Sequence, residues 1–187
     1  MVSAVQRVGV DVTFLRMDRP VLGMVPGLPA GLQVVAVPRC TVPFYRYLYF
    51  TVGADYCWWL RRTLSDGELA TVLEPPSLEI HVLMHKGEPA GFYELDRQHA
   101  PLVNLSYFGL MPWVLGRGLG YALLHHAIFQ AWQGHCQALT VNTCTADHPR
   151  ALPNYLKAGF RKLRTISEEW PVPTSLGLRV PERLLLA

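Results

Sequence analysis

Residues 109–124 read GLMPWVLGRGLGYALL, and this stretch decides the fold prediction. Three glycines alternate with other residues at Gly116, Gly118 and Gly120, between a strand-like apolar run and a helix-like apolar run. Glycine tolerates positive φ and lets a ligand approach the backbone closely. At a helix N-terminus, free N–H groups and the helix dipole both favour an anion. The stretch therefore predicts either an anion-binding loop or a plain tight turn.

The composition predicts one globular domain over residues 1–187. Half of the residues (50%) are hydrophobic and 17% are charged, which suits a sizeable core rather than a disordered chain. The net charge of +3 fits an acidic small ligand and gives no case for a nucleic-acid partner.

The same sequence favours a cytoplasmic protein. Charges at Arg7 and Asp11 interrupt any signal-type apolar core near the N-terminus. No uncharged apolar stretch reaches the roughly 18 residues of a membrane span, so we expect no membrane partner. The four cysteines have no metal-ligand spacing, which predicts free thiols in a reducing compartment and no metal site.

Alternating apolar patterns and turn residues predict the strands. A hairpin is expected around the turn Lys86-Gly87-Glu88-Pro89, because alternating runs flank it on both sides. The predicted strands are 10–17, 32–38, the two arms of the hairpin within 78–96, 102–110, 138–145 and 160–170.

Helical spacing and capping signals predict the helices. Ser65 and Glu68 form a capping box that opens a helix to about Leu73. A helix follows the glycine loop to about Gln133, with Gly134 as its cap. One or two helices broken near Gly53 are expected within 42–64, and a short one over 149–158.

This order of elements predicts a single α/β (α+β) domain with a mixed sheet. Residues 1–31 form an N-terminal strand and a Pro/Gly-rich link, and residues 171–187 form a tail that we cannot place from sequence.

The glycine stretch does not match the sequence patterns of two common nucleotide-binding loops. A Walker A loop needs Lys-Ser/Thr after its last glycine, whereas Tyr121 and Ala122 follow Gly120. A Rossmann loop needs a third glycine at the position of Tyr121 and an acidic residue about 20 residues later. No Asp or Glu occurs from Arg97 to Ala146, so a polyanion lying there would meet no like charge from this stretch.

A second motif, NYLKAGF at residues 154–160, follows the glycine loop later in the sequence. Together the two motifs resemble the GNAT superfamily of acetyl-CoA-dependent acyltransferases. The family's pyrophosphate loop falls on Leu115 to Gly120, with Leu115 where a polar residue is usual. Tyr155 stands five residues before Phe160, as in the family, and His148 stands where Asn is common. The resemblance implies a mostly antiparallel mixed sheet of about six to seven strands, splayed between residues 102–110 and 138–145.

The resemblance also implies residue roles in direct acetyl transfer from acetyl-CoA to an amine. A bulge near Gly109, within Phe108-Gly109-Leu110, would expose the strand to the pantetheine arm. Tyr155 is the expected general acid. The acid-free stretch leaves Glu94 and Asp96 as the nearest acidic candidates, with Glu94 as base or substrate anchor, and Asp147 as another candidate. The expected cofactor-binding residues are Phe108, Gly109, Leu110, Leu115, Gly116, Arg117, Gly118, Leu119, Gly120 and Tyr121. The expected acceptor-site residues are Tyr45, Tyr56, Trp59 and Asn104.

Two other functions stay open at this stage. The missing carboxylate on the strand at 102–110 and the departure at Leu115 also fit a non-catalytic acyl-CoA-binding sensor or partner module. An unrelated α/β nucleotide binder could use the same loop. The sequence does not identify the amine acceptor, which is a small molecule or a peptide, and a homodimer is expected only by analogy with the family.

Overall fold

The computed structural model describes residues 4–20 and 27–187, and that part of the chain contains seven strands and four α-helices. The strands are β1 (Val5–Met17), β2 (Leu32–Ala36), β3 (Leu78–His85), β4 (Glu88–Asp96), β5 (Leu102–Leu110), β6 (Ala138–Cys144) and β7 (Arg161–Pro173). The helices are α1 (Val42–Val52), α2 (Asp66–Leu73), α3 (Leu119–Ala131) and α4 (Ala151–Lys157).

The seven strands form one mixed sheet in the order β2-β3-β4-β5-β6-β1-β7. Within the described residues, β5 and β6 are the one parallel pair, and all other neighbours are antiparallel. The parallel pairing runs only from Leu102 opposite Ala138 to Leu105 opposite Val141. Beyond these residues the two strands separate, as the family resemblance implied, and β4 is the one strand in the described part of the chain that pairs with the second half of β5.

Helices cover both faces of the sheet, because successive strand residues point to opposite sides. On β4, Phe92 and Glu94 meet Tyr45 of α1. Between them, Tyr93 is hydrogen-bonded to His126 of α3 on the other face, with 2.9 Å from Oη to Nδ1. The main core therefore lies in two layers on either side of β4 and β5.

The predicted bulge lies at a different place in β5. Tyr107 pairs with Glu94 and Leu105 pairs with Leu95, so the extra residue is Ser106. Gly109 pairs regularly with Phe92, and the bulge predicted within Phe108–Leu110 was therefore wrong. Glycine is required there for another reason: a Cβ on Gly109 would lie 2.3 Å from Cγ1 of Val52 in α1.

Local signals predicted several boundaries closely. The Ser65–Glu68 capping box is present in both directions and opens α2, which ends at Leu73. The β3–β4 turn needs only Lys86 and Gly87, whose φ values of 52° and 88° are those of a tight hairpin turn. Strand β5 has the predicted bounds.

Other boundaries moved because long-range pairing sets them. The α3 helix ends at Ala131 with Trp132 as its C-cap, so Gly134 is not the cap that we predicted. Strand β1 begins at Val5 because it pairs with β7 as far as Pro173. The tail continues in short 3₁₀ turns and returns to β1 through a bridge between Val8 and Leu185. Part of the predicted link at 19–31, residues 21–26, lies outside the described residues.

No helix in the described ranges is both long enough and apolar enough to cross a bilayer.

The contact between Gly109 and Val52 gives a stability prediction. The methyl group of Gly109→Ala would overlap the buried Val52 side chain, so we expect the free energy of unfolding to fall by about 1–3 kcal/mol. Gly67→Ala in α2 is the matched control, since a Cβ there meets nothing within 4 Å. Removing a glycine from a helix should raise the stability by up to about 1 kcal/mol. Denaturant unfolding measures both, and a Gly109→Ala variant as stable as the parent would contradict the close packing.

Candidate functional site

A cleft of about 750 Å³ opens where β5 and β6 separate. Its walls come from the second half of β5, the glycine loop with the start of α3, the loop from β6 into α4, and the segment between α1 and α2. Since the parallel pairing ends at Leu105 and Val141, the cleft is a direct consequence of the sheet topology.

The glycine loop forms one end of the cleft. Gly116 and Gly118 have φ values of 78° and 75°, which a side chain would strain, and a Cβ on either would meet nothing within 4 Å. Gly118 is the N-cap of α3 and supplies no side-chain cap to the helix. The first N–H groups of α3 therefore remain available to an anion at the positive end of the helix dipole.

Nine of the ten predicted cofactor-binding residues line this cleft. The exception is Arg117, whose exposed side chain is not part of the cleft wall. The nine are Phe108, Gly109, Leu110, Leu115, Gly116, Gly118, Leu119, Gly120 and Tyr121.

The free edge of β5 forms a second wall. From Ser106 to Leu110 this strand has no partner on the side of β6 among residues 4–20 and 27–187. Backbone N–H and C=O groups on an unpaired edge need partners, and an extended ligand can supply them as an added strand would. This edge leads from the glycine loop towards the centre of the sheet.

Tyr155 of α4 lies across the cleft from β5. Its ring packs edge-on against Phe108 and Phe160, with centroid distances of 6.2 and 5.7 Å. Burial, with a smaller contribution from the charge of Asp147, raises the pKa of the Tyr155 hydroxyl well above its ordinary value. The phenol therefore stays protonated at neutral pH and can donate a proton or a hydrogen bond into the cleft.

The acetyltransferase (GNAT) family matches residues 39–160, which include the glycine loop, β5, α3, β6 and Tyr155. The chain belongs to the GNAT acetyltransferase family. Members of this family transfer acyl groups from acyl-CoA. The matched range ends at Phe160, the residue that packs against Tyr155.

Solved structures support the same fold. A GCN5-related N-acetyltransferase from Kribbella flavida has a TM-score of 0.61 at 17% identity, covering 93% of this chain and 63% of that chain. One from Sphaerobacter thermophilus has a TM-score of 0.63 at 14% identity, covering 91% and 53%. A tandem GNAT protein from the clavulanic acid biosynthesis pathway has 0.60 at 16%, covering 88% and 55%. The chain thus spans between 53% and 63% of the length of these proteins.

In this GNAT cleft, Asp147 contributes a carboxylate to the wall. It lines the cleft, and its Oδ2 accepts hydrogen bonds from Thr143 Oγ1 at 2.7 Å and from the backbone N–H of Cys144 at 3.0 Å. Burial raises its pKa above the ordinary aspartate value, although the hydrogen bonds from Thr143 and Cys144 oppose the shift. Among the described residues that line the cleft, it carries the only carboxylate.

Glu94 and Tyr45 do not line the cleft, although the sequence analysis predicted Glu94 as base or substrate anchor and Tyr45 as an acceptor-site residue. Glu94 is completely buried, and its two oxygens accept hydrogen bonds from Tyr45 Oη at 2.7 Å and Arg61 Nη2 at 2.9 Å. Burial raises the pKa of the Glu94 carboxyl, and the charge of Arg61 opposes that shift. Glu94 cannot reach an amine in the cleft, because the β4 face that carries it is covered by α1.

Arg61 lines the cleft but is not among the site residues predicted from the sequence. Its side chain is only 15% exposed, yet it lines the cleft and contacts the rings of Tyr45 and Tyr107, at 5.8 and 5.5 Å from the guanidinium carbon. The sequence places Arg61 in an aromatic segment 33 residues before Glu94, and nothing local indicates that the two side chains pair. The one sequence signal for Arg61 is Glu94 itself, because an acidic residue within an apolar strand needs a cationic partner once it is buried.

The remaining predicted acceptor residues are in the cleft. Tyr56, Trp59 and Asn104 all line it, and Asn104 Nδ2 donates to Ser106 Oγ at 3.0 Å. Tyr56 also meets His148 edge-on at 6.1 Å, which joins the segment after α1 to the loop before α4.

Among the described residues, no group of three or more His, Cys, Asp or Glu side chains could hold a metal ion.

Proposed function

We propose that the protein transfers an acetyl group from acetyl-CoA directly to an amine. The observation that carries this proposal is the convergence of three features in one cleft: an uncapped α3 N-terminus, a free β5 edge and a buried, protonated Tyr155. Each fits a different part of an acyl-CoA molecule, and family membership independently favours the same ligand.

The cleft has the donors that such a ligand needs. Backbone N–H groups of Gly116 to Gly120 would bind the pyrophosphate, since they need no cationic side chain to hold an anion. The unpaired edge of β5 would bind the amides of the pantetheine arm through backbone hydrogen bonds. Both assignments rest on the backbone, which explains why Leu115 can replace the polar residue usual in the family.

Tyr155 and Asp147 both line the cleft and are our candidates for the acid and the base of the transfer. Asp147 would take the proton that the amine loses, because a carboxylate whose pKa is raised by burial is a stronger base than an exposed one. Once the amine nitrogen has bonded to the thioester carbon, the carbon–sulfur bond breaks. Tyr155 would donate its phenolic proton to the departing sulfur.

We also propose a cytoplasmic location. Cys40, Cys57, Cys136 and Cys144 are free thiols in the structure, as expected in a reducing compartment. A homodimer remains a proposal by analogy with the family, and the acceptor is a small-molecule or peptide amine.

The first prediction concerns the cosubstrate. Acetyl-CoA at about 100 times its Kd should stabilise the protein by about 2.7 kcal/mol and raise its Tm, whereas NAD should not. Calorimetry measures binding, and a thiol-release assay against a diverse amine library measures transfer. Failure to bind acetyl-CoA would overturn the proposal. Binding without transfer to any amine would favour the non-catalytic acyl-CoA module instead.

The second prediction concerns the acid. Tyr155→Phe keeps the ring that packs on Phe108 and Phe160 but removes the donor, so we expect kcat to fall by about 10²–10⁴-fold. The Kd for acetyl-CoA should stay unchanged. Tyr47→Phe, an exposed tyrosine of α1, is the control and should leave both constants as they are. A loss of acetyl-CoA affinity with kcat retained would exclude Tyr155 as the acid.

The third prediction concerns the base. A base must be deprotonated, so kcat/KM should fall as pH decreases through the pKa of Asp147, which lies above the ordinary aspartate value. Asp147→Asn keeps an oxygen for Thr143 and Cys144, and it should lower kcat/KM at neutral pH by about 10²–10⁴-fold and abolish this acidic limb. Asp55→Asn, an exposed aspartate outside the cleft wall, is the control. An unchanged pH profile in Asp147→Asn would show that another group is the base.

A further inference from the structure

A buried ion pair lies directly behind the acceptor end of the cleft. The Glu94 side chain has no exposed surface, and the Arg61 side chain is 15% exposed. Removing two such charges from water costs several kcal/mol per ion, and apolar residues of the same volume would often be at least as stable. The pair is therefore poorly explained by stability, whereas it does hold a cation in a fixed place on the cleft wall.

Arg61 keeps unused hydrogen-bond donors. A guanidinium has five N–H groups, and the described residues supply it with two side-chain hydrogen-bond partners, Glu94 on Nη2 and Tyr107. The rings of Tyr45 and Tyr107 flank the guanidinium, and its backbone N–H donates to Tyr49 Oη at 3.3 Å. These groups orient the side chain, which lies in the cleft wall, and its donors beyond those to Glu94 and Tyr107 would serve a ligand in the cleft.

Glu94 and Tyr45 are positioning residues for this cation. Tyr45 Oη donates to one oxygen of Glu94, and the other oxygen accepts from Arg61. Neither residue touches the cleft, so their effect on a ligand would pass through the guanidinium.

The surroundings of Arg61 define the rest of the ligand. Trp58, Trp59 and Tyr107 line the cleft beside it, and the rings of Trp58 and Tyr107 are 5.1 Å apart. These surfaces suit a flat or apolar group. Asp147, in the loop before α4, lines the same cleft as Arg61. The Asp147 carboxylate suits the amine of the ligand, and the Arg61 guanidinium suits an anionic group.

We propose that the acceptor is an amine that also carries a carboxylate and an aromatic or apolar group, and that Arg61 binds its carboxylate through a charge-assisted, forked hydrogen bond. This inference rests on the proposed acetyl transfer. The carboxylate belongs either to a free amino acid or to the C-terminus of a short peptide, because both present the same group to a guanidinium.

Matched pairs of acceptors test the proposal by thiol release. L-Tryptophan and tryptamine differ only in the carboxylate, and L-leucine and 3-methylbutylamine repeat the comparison with an apolar body. The dipeptide Trp-Gly and its C-terminal amide form the peptide arm. A hydrogen bond to a charged group predicts about a 10–100-fold higher kcat/KM for the carboxylated member of the preferred pair.

Variants then assign the preference to Arg61. Arg61→Gln combined with Glu94→Gln removes both charges together, which avoids leaving a buried carboxylate unpaired. In this double variant the ratio of kcat/KM within each pair should fall towards one, with the Kd for acetyl-CoA unchanged. Arg61→Lys, which keeps the charge but loses the fork, should retain part of the ratio. Arg46→Gln, whose parent arginine pairs with exposed Asp66 on α2, is the control and should retain all of it.

The outcomes separate this inference from the proposed function. Thiol release that is equal or faster with the amines lacking a carboxylate would overturn the acceptor class while leaving acetyl transfer intact. A carboxylate preference that survives in the double variant would overturn the role of Arg61. Acetyl-CoA binding with no release of CoA thiol in the presence of any amine would overturn the transfer itself and, with it, the acceptor class.

Discussion

The short parallel pairing between β5 and β6 is the constraint on which the rest of the structure depends. Parallel neighbours cannot be joined by a hairpin, so the chain must cross over between them, and α3 is that crossover. Because the strands pair over only four residues each and then separate, their far ends leave a gap in an otherwise continuous sheet. The crossover begins beside this gap, which brings the N-terminus of α3 and the free edge of β5 to the same cleft.

Burial assigns different roles to the acidic residues around this cleft. Glu94 and Asp147 both have raised pKa values, and burial is the main cause in both. The two oxygens of Glu94, however, accept from Tyr45 and Arg61 behind the wall. Asp147 lies in the cleft wall itself, where its Oδ2 accepts from Thr143 and Cys144. A perturbed pKa marks a site only where the group can also be reached.

Much of the fold could be predicted from the sequence, because the signals for those elements lie in a few neighbouring residues. The capping box at Ser65, the hairpin turn at Gly87 and the bounds of β5 each depend on a few neighbouring residues. The bulge at Ser106 did not, since its position is set by the register against β4. Gly109 was noticed for its flexibility, but its real constraint is the approach of Val52, which only the packed structure reveals.

The candidate site shows the same difference between local sequence signals and long-range contacts. The proposed cosubstrate half would use backbone groups, and nine of the ten residues predicted from the glycine loop and its neighbours line the cleft, whereas Arg117 does not. The proposed acceptor half would use side chains from distant segments, and there Tyr45 and Glu94, which the sequence predicted, do not line the cleft, whereas Arg61 does. Backbone recognition leaves a sequence pattern that different acceptor sites can share. The proposed acceptor recognition would instead depend on side-chain pairs such as Arg61 with Glu94, which lie far apart in the sequence and leave no local pattern.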